Sequence, residues 1–359
     1  MSKEGILVIN PGSTSTKVAL YRGEEMVFTE TLRHSIEEIA SFAGVSEQFV
    51  FRLRAIEELL AQKGVKVNTL AAIVGRGGFL KPIKGGTYEV TPAMVAELLE
   101  GVRGEHASNL GAPLAMELGQ AAGIPAYIVD PVVVDEFEPL ARVSGMAGLE
   151  RRSAFHALNQ KAVARRAARD LAAEYGEINL IVAHLGGGIS VGVHRQGKVI
   201  DVNNALDGDG PFAPERSGGV PVGDLLRLCF SGRFTKKEIH HRVVGGGGLA
   251  GYLGTNDARE VEGLIQSGDE RAQLYYEAMA YQVAKEIGAG ATVLKGQLDA
   301  IVLTGGIAHS KMLTGWIRER VGFLASVLIY PGEDEMEALT QGALRVLRGE
   351  EKAKVYKVD

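Results

Sequence analysis

The chain has 359 residues, of which 46% are apolar and 23% charged, and this composition predicts a globular protein with room for two domains. Its formal net charge of −5 argues against nucleic acid or an anionic membrane as the main partner, since both favour basic surfaces. The single cysteine, Cys229, excludes an intrachain disulfide and a site built from several cysteines, which favours a reducing compartment. The start, MSKEGILVIN, shows no signal-peptide pattern, and no apolar run approaches the roughly 20 residues of a membrane helix. We therefore expect a cytoplasmic protein.

Predicted strands and helices alternate along the chain, which is typical of α/β architecture. The predicted strands are, in chain order, Ile6–Asn10, Lys17–Arg22, Leu70–Val74, Ala126–Asp130, Leu180–His184, Ser190–His194 and Ala300–Thr304. The predicted helices are Glu47–Lys63, one that begins at Thr91-Pro92, Asn159–Tyr175, Asp269–Leu294 and Glu335–Arg348.

Two segments in the second half of the chain repeat segments of the first half. ILVINPGSTSTKVALYRG, which begins at Ile6, aligns without a gap with LIVAHLGGGISVGVHRQG, which begins at Leu180. LAAIVGRGGFL, from Leu70, aligns in the same way with LDAIVLTGGIA, from Leu298. Because both repeats occur in the same order, the sequence predicts two duplicated α/β halves. A cleft between two such halves is a favoured place for a ligand.

The turns in the first repeat are rich in glycine and short hydroxyl residues. In NPGSTSTK and HLGGGIS, such residues allow backbone N–H groups to approach an anion closely. Neither turn is a Walker A loop, and no G-x-G-x-x-G joins a strand to a helix. One such turn alone would more simply be a plain hairpin, but the matched pair predicts two phosphate-binding hairpins. The glycine pair in LTGGIAHSK can lie along an adenosine unit, whereas GGGGLAGYLGTNDARE is either part of the same site or a flexible surface loop.

Ordered motifs along almost the whole chain resemble those of the acetate and butyrate kinases, in the superfamily of sugar kinases, actin and heat-shock chaperone ATPases. The motifs are VINPGSTSTK, VGRGG, EHASNLGA, VDPV, RRSAFHALNQ, AHLGGG, ERSGG, NDAR, LTGGIAHS and PGEDEMEAL. The resemblance implies an α/β fold of two duplicated actin-like (ribonuclease-H-like) domains with a nucleotide-binding cleft between them. It assigns residues 1–155 and a C-terminal helix of about 335–359 to the carboxylate and phosphate side, and residues 156–334 to the nucleotide side.

The implied reaction is reversible phosphoryl transfer from ATP to a short-chain carboxylate, which gives an acyl phosphate and ADP and uses Mg²⁺. Two departures from acetate kinase motifs favour the butyrate kinase type: Gly187 replaces an asparagine, and Ala308-His309-Ser310 replaces Gly-Glu-Asn. Gly78 stands where acetate kinases have a bulky apolar residue, so we expect it to leave room for a longer acyl chain unless Phe79 fills the space. Acetate, propionate and branched-chain acids are the alternative substrates.

A chaperone-type ATPase is the alternative from another functional class. That class shares the paired phosphate hairpins, but it would carry a client-binding or filament-forming region, for which the motifs leave no obvious room. It would also not require both Arg76 and Arg216. We therefore expect the enzyme, with a small carboxylate as its partner and no nucleic acid or membrane. The resemblance further implies a homo-oligomer, a dimer or larger.

The resemblance also assigns site residues. Phosphoryl transfer needs alignment and positive charge around the moving group, and the implied catalytic residues are Arg76, Asp130, His156, His184 and Arg216. The implied residues for the acid are Gly78, His106 and Phe155. Those implied for ATP are Gly12, Ser13, Thr14, Lys17, Gly186, Gly187, Gly188, Asp257, Arg259, Gly305, Gly306 and Ile307. Those implied for Mg²⁺ are Asn10 and Glu335, with Asp334 as a competitor to Glu335.

Two of these residues have roles that need comment. A carboxylate substrate is already ionised at neutral pH, so we expect Asp130 to orient an arginine or a metal-bound water rather than to remove a proton. Lys17 either contacts the ATP phosphates or is a solvated lysine on a strand. His240-His241 adjoin a predicted helix end and are expected to be solvated. Because neighbouring residues on a regular element point apart, the two histidines are not expected to form a metal pair.

Overall fold

The computed structural model describes residues 5–357. Its strands are β1 (Gly5–Gly12), β2 (Ser15–Arg22), β3 (Glu25–Arg33), β4 (Ala72–Gly75), β5 (Thr87–Glu89), β6 (Ala126–Val129), β7 (Asn179–Leu185), β8 (Ile189–Arg195), β9 (Lys198–Val202), β10 (Ala300–Gly305), β11 (Ser326–Pro331) and β12 (Lys354–Val355). Its α-helices are α1 (Ile36–Ala40), α2 (Phe49–Gln62), α3 (Pro92–Glu100), α4 (Gly111–Ala122), α5 (Pro139–Arg142), α6 (Ala157–Asp170), α7 (Val222–Cys229), α8 (Lys236–Val243), α9 (Gly248–Leu253), α10 (Ala258–Gln266), α11 (Glu270–Val293), α12 (Lys311–Val321) and α13 (Glu335–Leu347).

The predicted strands and helices are all present; their bounds agree within two residues, except for the end of one helix. Thr91 caps α3 as predicted, because its hydroxyl accepts from the backbone N–H of Met94. Helix α6 ends at Asp170 rather than at Tyr175. The reason is that Ala172 has a φ of 54°, a left-handed conformation that a right-handed helix cannot include.

The chain forms two compact units, which are Met1–Val134 with Asp334–Asp359 (unit 1) and Asp135–Glu333 (unit 2). Residues 135–155, which the sequence analysis placed in the first domain, make their contacts in unit 2. For example, Arg151 pairs with Asp201 at 2.8 Å, and the backbone N–H of Ala205 donates to Ala154. The predicted bounds also include residues 1–4 and 358–359, which lie outside the described residues. The assignment of carboxylate and nucleotide to different sides of the fold stays a prediction.

The sheet of unit 1 has the order β12-β5-β6-β4-β1-β2-β3. Strands β1 and β2 are antiparallel and place Asn10 opposite Lys17, while β4 and β6 continue the sheet in parallel with β1. Helices α4 and α13 pack on the sheet, and residues 6–9 of β1 and all of β4 are buried. Hydrophobic residues of β1, β4, α2 and α4 form one core. This packing fixes β1, which contains Asn10, and the end of β4, which Arg76 follows.

The sheet of unit 2 has the order β11-β10-β7-β8-β9. Strands β7 and β8 are antiparallel, and β10 and β11 continue in parallel with β7. Helices α11 and α12 share one core with this sheet, and the alanines of α6 share a second core with β7 and β10. The order is that of β6-β4-β1-β2-β3 in unit 1, so the repeats seen in the sequence are structural duplicates.

The structure agrees with two simpler expectations. Cys229, at the end of α7, is a free and exposed thiol. Within residues 5–357, no helix combines the length and the apolar character that a membrane span requires.

Candidate active site

Unit 1 gathers three of the predicted residues around one carboxylate. Glu335, the first residue of α13, accepts from Asn10 Nδ2 through Oε2 at 2.6 Å. Its other oxygen, Oε1, accepts from Arg76 Nη1. Asp334 is only the cap residue of α13 and makes no side-chain capping bond there. The sequence motifs of β1, β4 and α13 therefore meet at Glu335.

Close backbone packing positions Arg76. Arg76 follows β4, and its backbone N–H donates to Ile9 at 2.9 Å. A side chain at Gly75 would collide with the carbonyl of Gly111, and one at Gly111 would collide with the carbonyl of Arg76. Only hydrogen fits at both glycines, so the start of α4 presses directly on the backbone of Arg76.

The carbonyls of the predicted phosphate turn after β1 are bound by a residue that was not predicted from the sequence. Arg52, in α2, is fully buried, and its guanidinium donates to the carbonyls of Ser13 (3.2 Å) and Ser15 (2.8 Å). The carbonyl of Thr14, between them, accepts from the backbone N–H of His34 at 2.9 Å. In a planar trans peptide the next N–H points opposite to the carbonyl, so the N–H of Thr14 points away from Arg52 and the N–H of Ser15 points away from the backbone of His34. Backbone N–H groups arranged in this way suit an anion.

Arg52 also adds a buried positive charge behind this turn. Besides the carbonyls, its partners are the neutral side chains of Gln48 and Thr16. Burial lowers the pKa of Arg52 to about 10, which leaves the guanidinium charged at neutral pH. A cation without a carboxylate partner favours an anion nearby.

Gly12, Ser13, Thr14 and Lys17 all lie on the β1–β2 hairpin. Lys17 is exposed, and it stands directly opposite Asn10 in the antiparallel pair. Directly opposite residues share a face of the sheet, so Lys17 points to the face on which Asn10 meets Glu335. Contact of Lys17 with the ATP phosphates stays a prediction.

His106 and Asp130 have defined local geometry. The backbone N–H of Ser108 donates to His106 Nδ1 at 3.2 Å, so a neutral His106 carries its proton on Nε2. Partial burial and then the charges of Arg76 and Arg52 lower the pKa of His106. Asp130 is 1% exposed, and its Oδ1 accepts from the N–H of Gly86 at 2.6 Å. The φ of Asp130 is 37°, a strained conformation of the kind that clusters at functional sites.

The space expected at Gly78 is absent, so the prediction that this glycine leaves room for a longer acyl chain is wrong. A Cβ on Gly78 would lie 2.5 Å from the Cα of Asn109 and 2.8 Å from its backbone nitrogen. Asn109 is buried, and its Oδ1 accepts from the N–H of Phe79 at 2.9 Å. Gly78 is small because the backbone of Asn109 occupies the position of a side chain, and it therefore opens no room for an acyl chain.

Unit 2 brings the two predicted histidines face to face. The rings of His156 and His184 stack with their centroids 3.7 Å apart and an interplanar angle of 10°. His184 Nδ1 contacts Asn159 Oδ1 at 2.7 Å, and His156 Nδ1 contacts Ser190 Oγ at 2.9 Å. Glu333 Oε1 lies 3.0 Å from His184 Nε2. Phe155, before His156, is only 3% exposed.

Arg216 lies against the turn between β7 and β8, which contains Gly186, Gly187 and Gly188. A side chain at Gly188 would collide with Arg216 Nη1, so glycine leaves the space that the guanidinium fills. Arg216 Nη1 donates to the carbonyl of Ala205 at 2.7 Å, and its buried Nε makes no hydrogen bond within the described residues. Burial lowers the pKa of Arg216. A partly buried guanidinium beside a glycine turn suits a phosphoryl oxygen.

Two sets of contacts place predicted adenosine residues near the turn of Gly186–Gly188. Gly305 has a φ of 90°, and a side chain there would collide with the carbonyl of Leu185, just before the turn. Glu215 lies beside Gly187, and its Oε2 accepts from Asn256 Nδ2 at 3.1 Å, next to Asp257. The structure therefore groups Gly305, Gly306 and Ile307 with Gly186–Gly188.

Asp257 and Arg259 pair with each other. Their charged atoms are 2.6 Å apart, and bonds from the side chain and backbone of Arg259 lower the pKa of Asp257 to about 2. Asp257 caps α10, while the Arg259 side chain is 90% exposed. Helix α10 is tied to α12 through Glu262, which accepts from Ser310 Oγ.

The residues that hold the histidines were also missed, although the sequence carries a signal for two of them. Asn159 and Gln160 follow His156 by three and four residues, a spacing that puts them on one helix face. Ser190 begins the second strand of the hairpin and carries no such signal.

The fold agrees with that of known proteins. Residues 142–327 match the model of the acetokinase family. Similar solved structures include acetate kinase of Porphyromonas gingivalis, with 21% identity, a TM-score of 0.80 and coverage of 96% of this chain and 100% of that one. A propionate kinase of Francisella tularensis has 20% identity, a TM-score of 0.74 and coverage of 94% and 98%. Acetate kinase of Entamoeba histolytica has 16% identity, a TM-score of 0.74 and coverage of 94% and 98%.

These matches confirm the predicted fold, which is a two-domain, actin-like ATPase fold. The chain belongs to the acetokinase family, and its class is that of the carboxylate kinases that use ATP.

Proposed function

We propose that the protein transfers the γ-phosphoryl group of ATP to butyrate and forms butyryl phosphate and ADP in a reversible reaction. The observation that carries the phosphoryl-transfer part is the half-buried Arg216 guanidinium in the space left by Gly188. A guanidinium there can donate to an equatorial oxygen of the moving group, where charge develops in the transition state.

In the proposed reaction, a carboxylate oxygen of the acid attacks the γ-phosphorus in line. The bond from that phosphorus to the β–γ bridging oxygen breaks, and ADP leaves with the electron pair. No proton has to move, because the attacking carboxylate is already ionised. Arg76 and Arg216 neutralise charge on the phosphoryl oxygens, and His156 and His184 donate to them. Asp130 acts on the carboxylate side by orientation alone.

The proposed Mg²⁺ ligands form a chemically suitable pair. Asn10 and Glu335 both carry side-chain oxygens, and Asn10 Nδ2 lies 2.6 Å from Glu335 Oε2. Mg²⁺ prefers oxygen ligands and keeps several waters and phosphate oxygens, so two protein groups suffice. When bound, the ion would neutralise charge on the ATP phosphates.

The other proposed ATP contacts follow from the turns. The hairpin of Gly12–Thr14, with Lys17, and the turn of Gly186–Gly188 supply N–H groups to phosphates. Gly305–Ile307, Asp257 and Arg259 frame the adenosine. The proposed acid contacts of unit 1 are His106 with Phe79 beside it, the two rings meeting edge to face at 6.1 Å.

The choice of butyrate rests on sequence features other than Gly78. Gly187 and the segment Ala308–Ser310 differ from acetate kinase motifs in the way the sequence analysis describes. The structure gives Gly187 a physical meaning, because a Cβ there would lie 3.1 Å from Glu215 Oε1. Acetate and propionate are the alternative substrates, and the similarity to acetate and propionate kinases fits them equally well.

An ATP-dependent hydroxamate assay with acetate, propionate, butyrate and isobutyrate tests this proposal. Acyl phosphates react with hydroxylamine, so the product reports acyl phosphate formation for each acid. We expect the highest kcat/KM with butyrate. A higher value with acetate or propionate would assign the protein to those substrates, and no hydroxamate with any acid would reject kinase activity on these carboxylates.

By the same resemblance we propose a cytoplasmic homo-oligomer. Sedimentation equilibrium measures the mass of the assembly in solution. A mass of at least twice that of the chain is expected, and a monomer at all concentrations would contradict it.

A further inference from the structure

A buried chain of polar side chains leads away from His156 through unit 2. Tyr175 Oη lies 2.8 Å from His194 Nδ1, and His194 Nε2 lies 3.0 Å from Gln160 Oε1. Gln160 Nε2 then donates to Ser190 Oγ at 2.8 Å, and Ser190 Oγ lies 2.9 Å from His156 Nδ1. Gln160, Ser190 and His194 are fully buried. The proposed reaction uses none of these four partners directly.

The direction of every hydrogen bond in this chain follows from one backbone carbonyl. Gln160 Nε2 also lies 3.0 Å from the carbonyl oxygen of Ser190, which can only accept. The Gln160 amide nitrogen must therefore face Ser190, and its oxygen must face His194. His194 consequently carries a proton on Nε2.

The far end of the chain agrees with this direction. Burial, and then the charges of Lys161 and Arg165, hold the pKa of His194 well below its usual range, so the ring is neutral. A neutral ring protonated on Nε2 accepts at Nδ1, and Tyr175 therefore donates its hydroxyl hydrogen there.

At the other end of the chain, Ser190 determines which ring nitrogen of His156 carries the proton. Ser190 Oγ accepts one hydrogen from Gln160, and its own hydrogen needs an acceptor because the hydroxyl is fully buried. Among the described contacts of this hydroxyl, His156 Nδ1 is the one that can accept it. A neutral His156 then carries its proton on Nε2. Protonation of Nδ1 would leave the Ser190 hydrogen without an acceptor, which costs free energy.

Glycine at position 192 of β8 makes space for this chain. A Cβ there would collide with Gln160 Oε1 and would lie 3.3 Å from His194 Nε2. Gln160 is on α6, one turn after the cap residue His156, so Gln160 and His156 both reach Ser190 on β8 from the start of the same helix.

We propose that Tyr175, His194, Gln160 and Ser190 are positioning residues that hold His156 as the neutral Nε2–H tautomer, so that its Nε2 donates to the transferring phosphoryl group. The tautomer stands independently of the function proposed above, whereas the use of the Nε2 proton rests on it. A fixed donor needs no rearrangement when charge develops on the phosphoryl oxygens.

Protein labelled with ¹⁵N-histidine tests the tautomer directly. Long-range ¹H–¹⁵N correlation at a pH above the ordinary histidine range distinguishes Nδ1–H from Nε2–H, and the His156→Gln spectrum identifies the His156 signals. We expect the Nε2–H pattern alone. An Nδ1–H pattern, or an imidazolium at that pH, would overturn the proposal whether or not the protein is a carboxylate kinase.

Variants along the chain test the positioning role. Ser190→Ala removes the hydrogen given to Nδ1, so we expect a mixture of tautomers and a fall in kcat of about tenfold with little change in KM for ATP. His194→Leu should act in the same direction from further away, and His194→Gln, which keeps a donor toward Gln160, should restore both the tautomer and the rate. Should His194→Leu not fold, Ser190→Ala carries the test alone.

A pure Nε2–H pattern and an unchanged kcat in folded Ser190→Ala would contradict the role. A changed tautomer in a protein that forms no acyl phosphate would instead leave the positioning intact and reject the proposed function.

Discussion

At the scale of single residues, glycine determines where the charged groups of the site can lie. Gly188 leaves the space that the Arg216 guanidinium fills, and Gly111 lets α4 press on the backbone of Arg76. In each case the position of a functional side chain depends on a residue that carries none. Substituting these glycines therefore tests the site as directly as substituting the arginines.

Arg216→Ala should lower kcat on the order of 10³-fold and change KM for ATP much less, since its contact forms mainly in the transition state. Gly188→Ala should cause a loss in the same direction, because a methyl group there displaces the guanidinium. Steady-state hydroxamate kinetics measure both. Gly288→Ala, at a helix position with open space around it, is the matched control and should change neither constant. Equal losses in kcat and in ATP affinity for Arg216→Ala would contradict the transition-state role.

Gly78→Ala separates the packing explanation from the expected acyl pocket. The new methyl group meets the backbone of Asn109, so the free energy of unfolding should fall by about 1–3 kcal/mol. The ratio of kcat/KM for butyrate to that for acetate should stay the same in the variant that remains folded. Denaturant unfolding and the acid panel measure these quantities. A stable variant with a selective loss of butyrate activity would show that Gly78 does line the acyl site.

Asn10, Arg76 and Glu335 could be predicted from motifs, and the structure brings all three together. Gly78 shows the limit of that approach. The residue that fills its space, Asn109, comes from a distant segment, and spacing along one strand end cannot reveal it. Arg52 was missed for a similar reason, because an arginine within an amphipathic helix looks like a solvated residue until burial is known.

At the scale of elements, α2 supports the first of the two proposed phosphate turns although it carries no motif. Arg52 fixes two carbonyls of that turn, and its loss would leave both without their buried donor. The hairpin after β7 is instead braced by Arg216. The two duplicated turns therefore have different supports, although their strands match without a gap.

Arg52→Met should raise KM for ATP about tenfold, because the turn carbonyls lose the donor that orients their peptides. It should also lower the free energy of unfolding by about 2–4 kcal/mol through the buried carbonyls left unpaired. Arg54→Met, an exposed position on the same helix, is the control and should change neither quantity. Initial rates and urea unfolding report the two effects. A loss of stability with unchanged ATP kinetics would leave Arg52 a purely structural residue.

Helix α13 provides the test of the magnesium ligands. Glu335→Gln should raise the Mg²⁺ concentration needed for half-maximal rate about tenfold or more, because a hard cation prefers a carboxylate. Glu337→Gln, an exposed change in the same turn, should leave the Mg²⁺ dependence unchanged. The measurement is a Mg²⁺ titration of the initial rate at fixed ATP. A shift for Asp334→Asn without one for Glu335→Gln would transfer the role to Asp334.

Strands were easier to predict than the ends of helices. The seven predicted strands all lie inside their sheets, whereas four of the five missed strands, β3, β9, β11 and β12, are edge strands, and the fifth, β5, has only three residues. The end of α6 was wrong because its alanine-rich pattern continues past Asp170, and only the backbone at Ala172 stops the helix. Edge strands and helix ends depend on tertiary packing, which a single sequence shows weakly.

At the scale of the whole molecule, duplication is the feature that the sequence showed most clearly. Five strands have the same order in both units, and each copy places a glycine-containing turn at the end of its first strand. The helices differ more between the two units. Helix α6 follows the strands β1–β6 of unit 1 in the chain but packs in unit 2, and α13 follows the strands β7–β11 of unit 2 but packs in unit 1. Gapless strand repeats survive such rearrangement, so they were visible before the structure.

The central claim is that a carboxylate oxygen attacks the γ-phosphorus of ATP. The most direct measurement is ³¹P NMR of the reaction of ATP and Mg²⁺ with butyrate whose carboxylate carries ¹⁸O. We predict an acyl phosphate resonance displaced by the isotope, together with ADP, because the labelled oxygen becomes the bridge to phosphorus. ADP accompanied only by unlabelled inorganic phosphate would mean that water, not the carboxylate, accepts the phosphoryl group, and it would contradict the account.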